Sequence, residues 1–165
     1  MNFPTVINDN EKDSQNKNID FAAILTGREV PRVYTLDTAL ATFQSCNKNN
    51  GNYDDQDLKY SVKTTDMEKI KEVSIDIGKS SGEEEIVIEL YKSSSPSNEV
   101  MGNIVEGNIN SKELKGSLHG KDAKALVKKI EEGKAYVNIS TEDNPKGKLR
   151  GQIKKLNFQV ECWTI

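Results

Sequence analysis

Few side chains in this 165-residue chain have the types and spacing that chemistry demands, and they are scattered. Cys46 and Cys162 are the only cysteines, and His119 is the only histidine. A nucleophilic site needs its thiol or hydroxyl within hydrogen-bond reach of a base, with a third group orienting that base. No Ser, Cys or carboxylate is placed by motif to partner His119, which lies between Leu118 and Gly120 and reads as a solvent-facing loop residue. Neither cysteine falls in a CxxC pair or near His119, so a zinc site lacks its signature. The two thiols have a different use. A bridge between Cys46 and Cys162 closes a long loop, and in the chain-entropy model it stabilises by about 4–5 kcal/mol. Two buried free thiols are the alternative.

Oxygen ligands are more plentiful. The stretch Cys46 to Asp57, CNKNNGNYDDQD, gathers Asn and Asp side chains around Gly51. It lacks the DxDxDG register of an EF-hand, and Cys46 falls where the first Asp belongs, so an ordinary solvated loop is expected over a calcium site. Arg150, between Leu149 and Gly151, is a candidate for a structural ion pair, with Glu29 as one partner, or for hydrogen bonds to turn carbonyls, ahead of anion binding. The runs Glu83-Glu84-Glu85 and Lys128-Lys129 read as solvated faces. Asn138-Ile139-Ser140 fits the glycosylation sequon but falls inside an expected strand, where an acceptor is poorly accessible.

The elements that must position these residues are mostly strands. Tyr136 to Ile153, YVNISTEDNPKGKLRGQI, alternates apolar and polar residues on either side of a turn built from Asp143, Asn144, Pro145 and Gly147. Similar alternation marks Phe21–Leu25, Thr38–Gln44, Leu58–Val62, Val73–Ile77, Ile86–Leu90 and Ile104–Ile109, with Gly107 signalling a bulge or tight contact. One helix interrupts them: Ala123, Leu126, Val127 and Ile130 recur at helical spacing between an Asp122 N-cap and a Gly133 stop. Ile153 and Leu156 are out of phase, which calls for a bulge or turn near Lys154-Lys155 before a last strand at about 156–164. Seven or more strands with one brief helix predict an all-β fold, an antiparallel sandwich or barrel. Residues 1–19, rich in Asn, Asp, Lys and Glu, read as a flexible leader before a domain over 20–165.

Composition removes several function classes. A net charge of -3, from 23 basic and 26 acidic side chains, gives no basic excess for a phosphate backbone, so no nucleic acid is expected as a partner. No apolar run reaches the roughly 20 residues of a spanning helix, so no membrane insertion is expected, and Met1-Asn2-Phe3-Pro4 lacks the regions of a signal peptide.

Taken in order, the blocks FAAILTGREVPRVYTLDTALATF, LKYSV, GNI, the Leu-containing stretch before Gly116, the capped helix ending at Gly133, and YVNIST followed by Asn144-Pro145, Gly147 and LRGQI resemble the CHRD domain, first described as a repeat in the secreted protein chordin. The resemblance spans roughly Phe21 to Ile153. It implies an immunoglobulin-like antiparallel β fold and an extracytoplasmic location, secreted or at the cell surface, and it brings no catalytic residues. Many members carry histidines at the positions of Ser74, Asp76 and Ser140, and three imidazoles on one face of adjacent strands suit a transition metal. Here all three are replaced by hydroxyl and carboxylate groups, too few and too hard for a tetrahedral zinc site.

The expectation is therefore a non-enzymatic structural, adhesive or protein-binding module with no cofactor and an unknown protein or cell-surface partner. Two alternatives stand beside it. One is a metal-dependent β-sandwich of oxidoreductase type using Asp76, His119 and the Asn/Asp loop. The other is a small-ligand or carbohydrate binder with Trp163 as its single tryptophan.

Overall fold

The computed structural model describes residues 20–29, 32–45, 58–78, 83–94 and 100–156. In chain order these form β1 (Phe21–Leu25), β2 (Ala39–Ser45), β3 (Leu58–Met67), β4 (Ile70–Gly78), β5 (Glu84–Lys92), β6 (Val100–Ile109), two short 3-10 turns (Ser111–Glu113 and Gly116–Leu118), α1 (Ala123–Glu131), β7 (Ala135–Thr141), β8 (Leu149–Gln152) and β9 (Lys154–Lys155). Every strand pairing is antiparallel. The strands make a five-stranded sheet in the order β6-β3-β2-β1-β9 and a four-stranded sheet in the order β5-β4-β7-β8. This is a two-sheet β-sandwich with one α-helix among the described residues.

Alternation in the sequence becomes inside and outside in the sandwich. Phe21, Ala23 and Leu25 of β1 and Ala39, Ala41 and Phe43 of β2 are buried, as are Val73, Ile75 and Ile77 of β4 and Ala135, Val137 and Ile139 of β7. Each of the larger side chains contributes about 1.5–3 kcal/mol on leaving water. Tyr60 of β3 ties the layers together by donating its hydroxyl to the Leu90 carbonyl of β5 at 3.2 Å. It also lies over Gly107, its partner across the ladder, where an added Cβ would come within 2.8 Å of the phenol oxygen. The contact expected at Gly107 is thus an aromatic ring filling the space a side chain would need.

Helix α1 forms where capping and spacing place it. Asp122 accepts from Ala125 N at 3.2 Å, Leu126, Val127 and Ile130 are buried, and Gly133 takes φ 72° after the last turn. The Gln152 side-chain amide then donates to the Gly133 carbonyl at 2.8 Å, fixing the helix end to β8. Leu114, which follows the first 3-10 turn, and Leu118 of the second are buried, and the stretch closes over edge strand β5, whose Val87 carbonyl accepts from Lys115 N at 2.7 Å. Covering that edge satisfies backbone groups that would otherwise face water or another chain.

The phase break between Ile153 and Leu156 has a topological cause. After β8 in the four-stranded sheet the chain crosses at Ile153 and enters the five-stranded sheet as β9, pairing Lys154 and Lys155 with Ala22 and Phe21. The same corner is stitched by paired bonds between Thr26 and Arg150, N to O at 3.1 Å and 3.0 Å. Gly151 makes this possible: a Cβ there would fall 2.2 Å from the Ile24 carbonyl oxygen.

One expected face is corrected. Ile86, Ile88 and Leu90 do not share a side, because the β4–β5 register shifts twice, between Val73/Ser74 and between Ile75/Asp76. Each shift adds a residue to β5 and turns the neighbouring side chains to the other face. Ile88 and Leu90 are buried while Ile86 is exposed on the outer surface. The leader over 1–19, Cys46, the loop to Asp57, Cys162, Trp163 and the strand expected beyond Leu156 lie outside the described residues.

Candidate functional site

Strand β4 sends Val73, Ile75 and Ile77 into the core and Glu72, Ser74 and Asp76 to the outer face of its sheet. The neighbouring β7 presents Tyr136, Asn138 and Ser140 on that face, opposite Asp76, Ser74 and Glu72 respectively. The positions of Ser74, Asp76 and Ser140 therefore lie on one face of adjacent strands, as the resemblance implies.

Of these outward-facing groups Ser74, Asp76 and Ser140 are buried and Glu72, Tyr136 and Asn138 half-buried. A salt bridge spans the same face. Arg150, on β8 opposite Asn138, lies over the Tyr136 ring with its guanidinium carbon 4.4 Å from the ring centroid. It ends in a bidentate pair with Glu84 at the start of β5, Nη1 to Oε2 and Nη2 to Oε1. β8 and β5 are the two edges of the four-stranded sheet, so this pair straps the whole width of its outer face. Glu29, the expected partner of Arg150, is instead exposed on the turn after β1. The run Glu83-Glu84-Glu85 is likewise not simply solvated: Glu85 Oε1 accepts from Ser117 N at 3.3 Å. Nothing local in the sequence points from Arg150 to Glu84, since the pairing depends on the strand order.

Under the strap, the Ser74 hydroxyl donates to Asp76 Oδ1 at 2.6 Å. Burial pushes the Asp76 carboxyl above its ordinary value; the Ser74 hydrogen bond and the Arg150 charge oppose the shift, while Glu84 and Glu72 add to it. Glu72 Oε1 is itself buried with no hydrogen-bond partner. A hydroxyl beside a carboxylate has the outline of a nucleophile and its base. Here both are buried, in a polar layer that the charges of Arg150 and Glu84 act on.

The remaining candidates are dispersed. His119 is exposed and follows the second 3-10 turn. Among the described residues no group of three or more His, Cys, Asp or Glu is placed to hold a metal ion. Two hydroxyls and one hydrogen-bonded carboxylate also do not fit a soft transition metal. No helix among the described residues is long and apolar enough to cross a membrane.

A second feature was not visible in the sequence. The chain between β1 and β2 lines a groove of about 610 Å³ with Gly27, Arg28, Arg32, Val33, Tyr34, Thr35 and Leu36. Tyr34 is 93% exposed and Leu36 98%. Alternation in VYTL reads as a strand pattern, but no local signal says that its large residues face water.

Compared with known proteins, the chain matches a family model described as CHRD domain over residues 21–153. No curated protein and no solved structure matches it.

Proposed function

The chain belongs to the CHRD domain family, and on that premise we propose that it is a non-enzymatic, extracytoplasmic module that attaches to a protein or cell-surface partner. The observation that carries this reading is the placing of exposed apolar groups. Of the five large hydrophobics exposed among the described residues, Ile24, Tyr34, Leu36 and Leu40 all lie on β1, β2 or the chain joining them. Ile24 and Leu40 face each other across the ladder. Single exposed apolar residues are ordinary, whereas a cluster of them marks a contact surface.

In this reading the folded unit runs over 20–165 behind a flexible leader, and a Cys46–Cys162 bridge belongs to its oxidising surroundings. The register supports the bridge. Asp20 N donates to the Phe43 carbonyl and Leu156 N to the Asp20 carbonyl, each at 2.9 Å, so β2 and β9 leave the five-stranded sheet at the same end, one strand apart. Cys46 directly follows β2 and Cys162 comes 6 residues after Leu156. Strands separated by one other lie about 10 Å apart, and six extended residues reach about 20 Å.

Surface retention tests the function. Purified protein and a Tyr34→Ser, Leu36→Ser variant are added to washed cells of the source organism, and the bound fraction is measured. Retention that falls in the variant is expected. Equal retention of both, no retention of either, or turnover in a substrate screen would overturn the reading.

A further inference from the structure

We propose that Arg32–Leu36 is a docking edge to which an extended, acidic peptide segment of a partner protein adds as a strand; this deepens the binding-module reading and rests on it. From Arg32 to Ala41 exposure alternates. Arg32, Tyr34, Leu36, Thr38 and Leu40 are exposed, while Val33, Thr35 and Asp37 are half-buried and Ala39 and Ala41 buried. That is strand periodicity with its large side chains turned outward, about 7 Å apart along the row.

Its backbone is open. Val33 N donates to the Gly27 carbonyl at 2.8 Å and Thr38 N to Thr65 Oγ1 at 3.2 Å, which tack the stretch down at both ends. Between them, the N–H and C=O groups of Tyr34 and Leu36 have no hydrogen-bond partner among the described residues. In an extended chain both groups of one residue point to the same side, so residues two apart present the pattern an added strand completes. Proteins usually blunt such edges with lysine, proline or a covering turn. β5 is covered by the 3-10 turns, and no described residue pairs with the backbone of Tyr34 or Leu36.

Charge identifies the partner. Arg28 and Arg32, two of the chain's three arginines, line the same groove and make no ion pair among the described residues. Asp37 is held by Lys148, and exposed Glu29 offsets only one of the two guanidiniums. Arginine forks bind carboxylates in two-point geometry. A second copy of this chain would set the same cationic edge against itself. A peptide alternating acidic and β-branched residues satisfies both the backbone and the charge.

Two synthetic seven-residue probes test this on the full chain by fluorescence anisotropy and by amide chemical-shift mapping: one alternating Glu and Val, the other Lys and Val. The Glu peptide is expected to bind at least about tenfold more tightly than the Lys peptide, with shifts centred on residues 32–36. Binding should be lost when alternate peptide nitrogens are methylated, and should weaken in an Arg28→Glu, Arg32→Glu variant whose far-ultraviolet circular dichroism is unchanged. Equal binding of the two peptides, indifference to methylation, shifts mapping elsewhere, or self-association through Tyr34 and Leu36 would each overturn strand addition. If neither peptide binds while surface retention still depends on Tyr34 and Leu36, strand addition fails and the binding module stands.

Discussion

Arg150 and Glu84, 66 residues apart in sequence, meet across the outer face of the four-stranded sheet, where Ser74 and Asp76 are buried and both charges act on Asp76. Arg150 is nearly inaccessible, whereas the Glu84 side chain is 44% exposed. The pair therefore combines a desolvated cation with a partly hydrated anion.

Removing the cation should cost more than removing the anion. Arg150→Met is expected to destabilise by about 2 kcal/mol, since it uncovers Tyr136 and leaves the carboxylates beneath uncompensated. Glu84→Gln should cost about 1 kcal/mol or less, because its carboxylate keeps water contacts. Urea denaturation of the singles and the double gives the coupling, and additive losses would contradict the strap.

Asp76 makes stability depend on pH in a stated direction. Its ordinary value is 3.8, and burial raises it in the folded protein. Between the two values the native state holds a proton that the unfolded chain has lost, so the group favours folding most below its unfolded value. That contribution falls as pH rises through the folded value and is level above it. Asp76→Asn should therefore gain on the wild type as pH is raised from about 4 to neutrality in denaturation curves. A difference that stays constant over that range would refute this.

Gly151→Ala should be among the costliest single-methyl additions. The new Cβ would meet the Ile24 carbonyl, backbone against backbone, with no flexible side chain to yield. A loss of about 2 kcal/mol or more is expected from this overpacking, read as a drop in the urea midpoint. Gly120→Ala, where nothing lies within 4 Å but φ is 74°, should cost only the roughly 1 kcal/mol of left-handed backbone.

Tyr34→Ser and Leu36→Ser should leave stability within about 0.5 kcal/mol of wild type, as surface changes do. A substantial fall in Tm would mean that these side chains pack in solution, and would remove them as a contact surface.

The proposed bridge is checked by intact mass. Non-reduced protein should weigh about two daltons less than reduced protein, because oxidising a thiol pair removes two hydrogens. Equal masses would count against the bridge and against the oxidising compartment.

What the sequence made legible was periodic. Alternation placed β1, β2, β4 and β7 and their inward residues, the Asp122 cap and Gly133 stop placed α1, and the common face of Ser74, Asp76 and Ser140 was implied by the family resemblance. What it hid depends on which strands lie side by side. The break after Ile153 was visible, but not that the chain there changes sheets. The partner of Arg150 required knowing that β5 and β8 are opposite edges of one sheet. Ile86 turned outward because bulges in a ladder answer to the partner strand, and nothing local in the sequence marks Tyr34 and Leu36 as exposed.

The corner where β8 passes through Ile153 into β9 also governs when the chain can fold. β1 is the first described strand in chain order, yet its seam with Arg150, Lys154 and Lys155 involves almost the last described residues. On a ribosome the sandwich stays unsealed until those residues emerge. Closure then joins segments more than a hundred positions apart, and non-local pairing of that kind sets folding in the range of milliseconds to seconds, roughly. Until then the open flank of β1 has no neighbour, which makes the newborn chain, rather than the finished sandwich, the form most exposed to mispairing.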